Sequence, residues 1–219
     1  MYGLKDNVAR KAGTMGKEEN KEMEFWTQEE FQKFLECVAD KPISYYAFEM
    51  LYWTGIREGE LLALTPADFN FEKKTLRINK SYQRLEGEDV ITDPKTPKSN
   101  RTIVMPDFLA IEMEDFIKSI YGIKMDDRIF TISKSYLHHE MDRGAKLAGV
   151  KRIRIHGLRH SHISLLINLG FSALAIGERV GHEAVDITYH YAHLFPTVQT
   201  DMAAQLETER EALVNVRKE

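Results

Sequence analysis

The chain has 219 residues, of which 43% are hydrophobic and 10% aromatic, a size and composition that allow one sizeable hydrophobic core. The single cysteine, Cys37, excludes an internal disulfide, and the lack of a signal peptide or of an apolar run of ~18 residues argues against a secreted or membrane-spanning chain and indicates a cytoplasmic protein. The net charge of −4 at pH 7 excludes a uniformly basic nucleic-acid-binding domain, so any contact with nucleic acid depends on local basic patches.

The N-terminal part is predicted to be a polar linker followed by helices. Residues 1–24 mix charges and contain few apolar residues at helical spacing, which indicates a linker or the remnant of a removed N-terminal core-binding domain. Thr27 and Glu30 form a capping-box pattern in front of an amphipathic stretch. Gly55 interrupts the next apolar stretch. Helices are therefore expected over about residues 28–39, 43–53 and 58–64.

After Thr75 the apolar residues recur with a period of two, which predicts strands. We expect a three-stranded antiparallel meander whose last two strands are separated by a polar excursion, Asp93 to Asn100. Its strands are expected near residues 75–80, 90–92 and 101–104. Further helices are expected near residues 106–121, 135–148, 157–169 and 173–180, with a final pair after His182. The predicted fold class is mainly α with a small three-stranded antiparallel β-sheet.

Basic residues are concentrated in two segments despite the negative net charge. Residues 143–160 contain six Lys and Arg and no acidic residue, and residues 71–104 contain eight basic and five acidic residues. Such local patches can contact phosphates whatever the total charge. The residues predicted to contact DNA are Lys98, Arg101, Lys151, Arg152 and Arg154.

A set of polar side chains along the chain suits a single chemistry. Arg57 lies in Thr-Gly-Ile-Arg-Glu-Gly-Glu, and His156 and Arg159 lie in His-Gly-Leu-Arg, three residues apart and so on one helical face. His182 follows a glycine, and Tyr191 comes nine residues later. Two guanidiniums stay charged at any working pH and can hold both non-bridging oxygens of one phosphodiester. A phenol can then attack the phosphorus atom of that phosphodiester.

This set resembles the catalytic domain of the tyrosine recombinase (phage integrase) family, in particular the integrases of conjugative transposons from low-GC Gram-positive bacteria. The resemblance covers about residues 25–200. It implies that Arg57 and Arg159 clamp the scissile phosphate and that Tyr191 is the nucleophile. It also implies that His156 assists proton transfer around the nucleophile and that His182 belongs to the site. Glu60, one helical turn after Arg57, is expected to orient that arginine.

Two of these assignments have a close rival in the sequence. Tyr189 competes with Tyr191, and the family spacing from His182 selects Tyr191, which requires a break in the helix between the two residues. Lys95, followed by a threonine in the polar excursion, resembles the family's hairpin lysine, which gives a proton to the leaving 5′ oxygen. Lys98 is its rival.

A metal site is the competing interpretation of the histidine-rich segment. His156 and His160 are four residues apart, a spacing that two ligands on one helix share. The pattern His-Glu-x-x-His is absent, because Asp186 occupies the last position after His182-Glu183. We therefore expect no metal and no cofactor. His160 and His162 are interpreted as packing residues or as residues that support the site.

The resemblance implies two successive transesterifications on double-stranded DNA at core recombination sites, through a 3′-phosphotyrosyl link, which integrate and excise a mobile element. It further implies a tetramer on DNA and an accessory DNA-bending or excision factor, and no membrane partner. Residues 25–196 are expected to form the catalytic domain, and residues 197–219 an amphipathic tail helix that packs in cis or docks on a neighbouring protomer. The alternatives are DNA relaxation of the type IB topoisomerase kind and a non-catalytic DNA-binding domain.

Overall fold

The structure, a computed structural model, describes residues 24–93, 99–181, 191, 203, 206–208 and 210. Within residues 24–181 the described helices are α1 (Gln28–Val38), α2 (Pro42–Thr54), α3 (Glu58–Ala63), α4 (Asp107–Ser119), α5 (Lys134–Ala148), α6 (Ile155–Asn168) and α7 (Ala173–Val180). The strands in the same range are β1 (Phe69–Asn70), β2 (Thr75–Ile78), β3 (Ser81–Leu85), β4 (Glu88–Thr92) and β5 (Arg101–Val104), and a short 3-10 helix covers Pro66–Asp68. The predicted mainly helical class with a small antiparallel sheet is confirmed.

Helix α1 begins at the predicted capping box. The Thr27 hydroxyl oxygen accepts a hydrogen bond from the Glu30 backbone N–H at 3.2 Å, and the Glu30 carboxylate accepts one from the Thr27 N–H at 2.9 Å. These two bonds satisfy N–H groups that have no partner inside the helix. The apolar stripe of α1 is buried against α2 and α5, and it consists of Phe31, Phe34, Leu35 and Val38.

The helices expected near residues 43, 58, 135, 157 and 173 are also present, with ends that differ by at most two residues from those expected. Pro106, expected as the first residue of its helix, occupies the N-cap position directly before α4. Among the described residues, no helix is both long and apolar enough to cross a bilayer. The pair of helices expected after His182 falls almost entirely outside the described residues.

The predicted meander is wrong in its connectivity. Strand β5 pairs with β2, in the register Leu76 opposite Ile103, and β1 completes this three-stranded sheet. Strands β3 and β4 form a separate hairpin. The hairpin packs on α3 at Gly59, where a Cβ atom would lie 2.6 Å from the Ser81 hydroxyl oxygen. Because this close packing takes the hairpin away from the sheet, the edge of β2 is free to accept β5.

The described core is divided into two clusters, and the second one lies beneath the candidate site. The large cluster joins α1, α2 and the sheet, and Trp26 ties the start of the domain to it: its indole N–H donates to the Lys151 carbonyl at 2.7 Å. The small cluster combines Ile163 and Ile167 of α6 with Ile176 and Val180 of α7, and Tyr191 packs against them. The tyrosine is thereby held next to the polar face of α6.

Candidate active site

Arg57 is placed at the start of α3 by a sharp turn in the backbone. Gly55 ends α2 in the left-handed conformation with φ of 64°, and a Cβ atom there would lie 2.5 Å from the His162 ring. A glycine is needed on both grounds. The Arg57 side chain remains 35% exposed and donates to the Glu60 carboxylate at 2.8 Å. The contact between Arg57 and Glu60 that their spacing in the sequence indicates is therefore present.

Arg159 is a buried cation without a full set of partners. It lies on α6 and is 1% exposed, and its two terminal nitrogens donate to neutral backbone carbonyls, Gly55 O at 2.6 Å and Val180 O at 2.5 Å. Its Nε has no hydrogen-bond partner among the described residues. Desolvation, and then the charge of Arg57, lower the pKa of Arg159 to about 9, so it remains cationic at neutral pH. A buried cation that lacks a counter-ion and a full set of hydrogen bonds favours the binding of an anionic ligand.

The end of α7 brings three arginines together. The carbonyl of Arg179 accepts from Arg101 Nε at 2.9 Å, that of Val180 from Arg159, and that of Gly181 from Arg57 Nη2 at 3.3 Å. Carbonyls in the last turn of a helix have no partner inside it and carry its partial negative charge. They therefore fix guanidiniums that come from α3, β5 and α6 around one point.

Tyr191 lies beside this group of arginines. Its side chain is 2% exposed, and its hydroxyl is hydrogen-bonded to Nδ1 of His160. The His160 ring also contacts His156, with ring centroids 4.9 Å apart and an interplanar angle of 88°. Burial raises the pKa of Tyr191, and the nearby Arg159 opposes this shift only in part. The phenol therefore stays protonated at neutral pH unless a base takes its proton.

Two further histidines near the site, His156 and His162, have different environments. His156 is an exposed residue, yet desolvation of its ring and the charges of Arg159 and Arg57 lower its pKa. His162 is buried, accepts a hydrogen bond from Arg179 Nε at 3.0 Å, and has a pKa lowered by burial to about 3. His162 is therefore neutral and packs behind the site, which agrees with its interpretation as a packing residue.

The structure brings five of the predicted site residues together, namely Arg57, Glu60, His156, Arg159 and Tyr191. Four others, Lys95, Lys98, His182 and the rival Tyr189, lie outside the described residues. In the part of the chain that is described, no group of three or more His, Cys, Asp or Glu side chains is arranged to hold a metal ion.

The basic residues predicted to contact DNA fall into two classes. Lys151, Arg152 and Arg154 are exposed in the segment before α6, although Arg152 also pairs with Asp142 at 2.7 Å. Arg101 is 9% exposed, and its guanidinium is bonded to Glu60. The prediction that Arg101 contacts DNA does not agree with this burial, because a buried guanidinium that already holds a carboxylate has no free face for a phosphate.

Sequence reasoning missed two contributors to the site. His160 was expected to support the site at most, yet it makes the hydrogen bond to Tyr191. Its position directly after Arg159 was visible, but nothing in the sequence indicated that it faces the tyrosine. Arg179 had no distinguishing signal in the sequence. It donates to the Trp53 and Val104 carbonyls, at 3.2 and 3.1 Å, and joins α7 to α2 and β5.

Residues 24–197 match the Phage integrase family. The chain is 32% identical over 217 residues to the ICEBs1 integrase of Bacillus subtilis, an alignment that covers 92% of this chain and 58% of that protein. The chain therefore spans less than two thirds of the length of this curated relative.

Two solved structures share the fold. The Tn1549 transposon integrase in complex with transposon right end DNA superposes with a TM-score of 0.72 at 23% identity, over 89% of this chain and 68% of that one. The catalytic domain of bacteriophage HP1 integrase superposes with a TM-score of 0.58 at 19% identity, over 83% of this chain and 95% of that domain. The family predicted from the sequence is confirmed, and the chain belongs to the phage integrase family of tyrosine recombinases.

Proposed function

We propose that this chain contains the catalytic domain of a site-specific DNA recombinase that integrates and excises a mobile element. The observation that carries the proposal is the position of the buried cation Arg159, incompletely bonded, next to Tyr191 and Arg57. This arrangement supplies positive charge for one phosphate and a nucleophile beside it. Its relatives include the ICEBs1 integrase and a transposon integrase solved with DNA, and this similarity supports the same function.

The reaction consists of two transesterifications. The Tyr191 oxygen attacks the scissile phosphorus, the bond to the 5′ oxygen breaks, and the protein becomes joined to the 3′ phosphate. Lys95 gives a proton to the departing 5′ oxygen. The 5′ hydroxyl of another strand then attacks the phosphotyrosyl ester and releases the tyrosine. One ester replaces another at each step, so the reaction needs no ATP.

The charge on the phosphate is stabilised by Arg57 and Arg159. Each transesterification passes through a state in which negative charge builds up on the non-bridging oxygens. Arg159 is already desolvated and fixed by two carbonyls, so it needs little reorganisation to stabilise that charge. Arg57 is more exposed and adds the second guanidinium.

The proton of Tyr191 needs an acceptor, because burial raises the pKa of the phenol. His160 Nδ1 already shares a hydrogen bond with the hydroxyl, which makes it the nearest described base. We assign it the role of receiving the proton. His156 contacts the His160 ring and supports that residue. It also assists proton transfer around the nucleophile, as the family resemblance implies.

Double-stranded DNA is the proposed substrate, and self-association into a tetramer on DNA and an accessory bending or excision factor are proposed partners. Exposed Lys151 and Arg154, which precede the helix that carries Arg159, are available for the phosphates beside the cleavage point. The tail helix, residues 197–219, is proposed to dock on a neighbouring protomer, and it falls largely outside the described residues.

The function is tested with a nicked suicide substrate. Cleavage next to the nick releases a short fragment, so the strand cannot be rejoined and the covalent intermediate accumulates. We expect a protein–DNA adduct that survives denaturation and carries a label placed on the 3′-phosphate side. A chain that binds this DNA without forming an adduct is a binding module, contrary to the proposal. Joining of the cleaved strand to a second duplex distinguishes a recombinase from an enzyme that only relaxes DNA.

Adduct formation is expected to proceed in EDTA at the rate measured with Mg²⁺. The reason is that the two guanidiniums take the place of a metal on the non-bridging oxygens. The measurement is the initial rate of adduct formation at constant ionic strength, with and without the chelator, since added salt alone weakens DNA binding. A strict requirement for a divalent ion would contradict the proposed mechanism.

A further inference from the structure

Arg101 is a third arginine of the site, bonded in several directions. It opens β5 directly after the segment that carries Lys95, and its side chain is 6% exposed. Nη2 donates to the Glu60 carboxylate at 2.9 Å, Nη1 donates to the same carboxylate at 3.2 Å, and Nε donates to the Arg179 carbonyl at 2.9 Å. Nη1 also reaches the Ser99 carbonyl, at 3.1 Å. Each nitrogen of this guanidinium therefore has a partner inside the protein.

Glu60 is shared between Arg101 and Arg57. One carboxylate oxygen accepts from Arg57 Nη1 and Arg101 Nη1, and the other accepts from the Arg57 backbone N–H, at 2.9 Å, and from Arg101 Nη2. Burial alone would raise the pKa of Glu60, but the hydrogen bonds and charge of Arg101, followed by those of Arg57, outweigh burial and lower it. Glu60 is therefore an anion held between two cations.

The three side chains together carry one net positive charge, two guanidiniums against one carboxylate. Arg101 is the buried member, and the Arg57 side chain, at 35% exposed, is the one that faces outward. We propose that Arg101 is a positioning residue that neutralises Glu60, so that Arg57 keeps its charge for the scissile phosphate. The inference rests on the proposed function, because it concerns the same phosphate.

The environment explains why a second cation is needed. Glu60 lies 2.8 Å from Arg57 in a poorly solvated place, where the attraction between opposite charges is strong. Without Arg101 the two would form a closed, neutral pair, and a phosphate would have to compete with Glu60 for the guanidinium. Arg101 also holds the carbonyl of Arg179, and the next two carbonyls along the chain hold Arg159 and Arg57. Loss of Arg101 therefore weakens the grip of Arg57 and Arg159 on the phosphate in two ways. It leaves the charge of Glu60 to compete for Arg57, and it loosens the end of α7 that positions both arginines.

The first test is Arg101→Met in the suicide-substrate assay. We expect adduct formation to slow by roughly 10- to 100-fold, the range typical of residues that orient a ligating group. A second substrate carries a methylphosphonate at the scissile position, which removes the negative charge that Arg57 neutralises. There the loss relative to the unsubstituted chain is expected to shrink to about threefold or less, because the part that comes from stabilising this charge disappears and only the positional part remains. An equal loss on both substrates would overturn the proposal.

The second test is the double variant Glu60→Gln/Arg101→Met. It restores one net positive charge, on Arg57, and leaves no buried carboxylate without its partner. We expect it to form adduct about tenfold faster than Arg101→Met on the phosphodiester, although it carries one more substitution. If the single variant does not fold, the double variant is compared with Arg57→Met, and equal losses in these two contradict the proposal.

The matched control is Arg128→Met. Arg128 also pairs with a carboxylate, Asp89 at 2.8 Å, and donates to a backbone carbonyl, that of Leu62, but it lies outside the site. Its loss is expected to leave the rate of adduct formation unchanged. Adduct formation by the unsubstituted chain, measured first in the same assay, tests the proposed function itself. If the unsubstituted chain forms the adduct and Arg101→Met forms it at the same rate, the proposed role of Arg101 is refuted and the proposed function is not.

Discussion

Replacing Tyr191 with phenylalanine is expected to abolish the covalent protein–DNA adduct and to leave DNA affinity nearly unchanged. The substitution removes the nucleophilic oxygen and keeps the ring that packs between α6 and α7. The fold loses one hydrogen bond, to His160, at a cost of about 1 kcal/mol. The measurements are adduct formation on the suicide substrate and the affinity for the same DNA without a nick.

The control for this experiment is the neighbouring tyrosine. Tyr189→Phe removes an equivalent hydroxyl two residues away and is expected to form adduct at the normal rate. The assignment of the nucleophile is refuted if the adduct survives in Tyr191→Phe and disappears in Tyr189→Phe. Loss of adduct in both variants, with folding intact, would assign a supporting role to Tyr189.

Local sequence signals were sufficient to predict most of the helices. Thr27 and Glu30 predicted the start of α1, because both halves of a capping box lie within one turn of the chain. Gly55 marked the end of α2 for a similarly local reason, since its left-handed conformation closes the helix. Signals of this kind depend only on residues close in the sequence, so they predict a helix end without knowledge of the tertiary structure.

The pairing of the strands could not be obtained in the same way. The alternation of apolar residues shows which side chains of β2 and β5 face the core, but it does not show which strand is the neighbour. That choice depends on the close approach of the β3–β4 hairpin to Gly59 of α3. The hairpin pairs with itself, and β5 takes the edge of β2 that the predicted meander would have given to residues 90–92, which lie in β4.

The candidate site shows the same division between local and distant information. Arg57, Arg159 and Tyr191 were predicted because their residue types and spacing resemble the motifs of the tyrosine recombinase family. The sequence did not reveal that Arg101 is buried, since its carboxylate partner Glu60 lies 41 residues earlier in the chain. The role of His160 was hidden for the same reason, because the tyrosine that it contacts comes 31 residues later.

Replacing Arg159 with methionine is expected to slow adduct formation by at least roughly a hundredfold, which corresponds to about 2.7 kcal/mol of transition-state stabilisation. Arg159 is a fixed and desolvated cation beside the nucleophile, so no other described group can replace its charge in the same position. The effect on stability is expected to be much smaller. Methionine has a similar length and no charge to bury, which offsets part of the cost of leaving the Gly55 and Val180 carbonyls without a donor.

The two expectations for Arg159→Met are checked on the same preparation, with adduct formation for the activity and urea unfolding for the stability. Arg128→Met serves again as a half-buried arginine outside the site, and it is expected to lose stability without losing activity. Arg159→Lys adds a further comparison. It keeps a charge but has one donor nitrogen in place of the planar fork whose two terminal nitrogens hold the Gly55 and Val180 carbonyls, so its rate is expected to lie between those of the methionine variant and the unsubstituted chain. A loss of activity below tenfold in a folded Arg159→Met protein would remove Arg159 from the phosphate clamp.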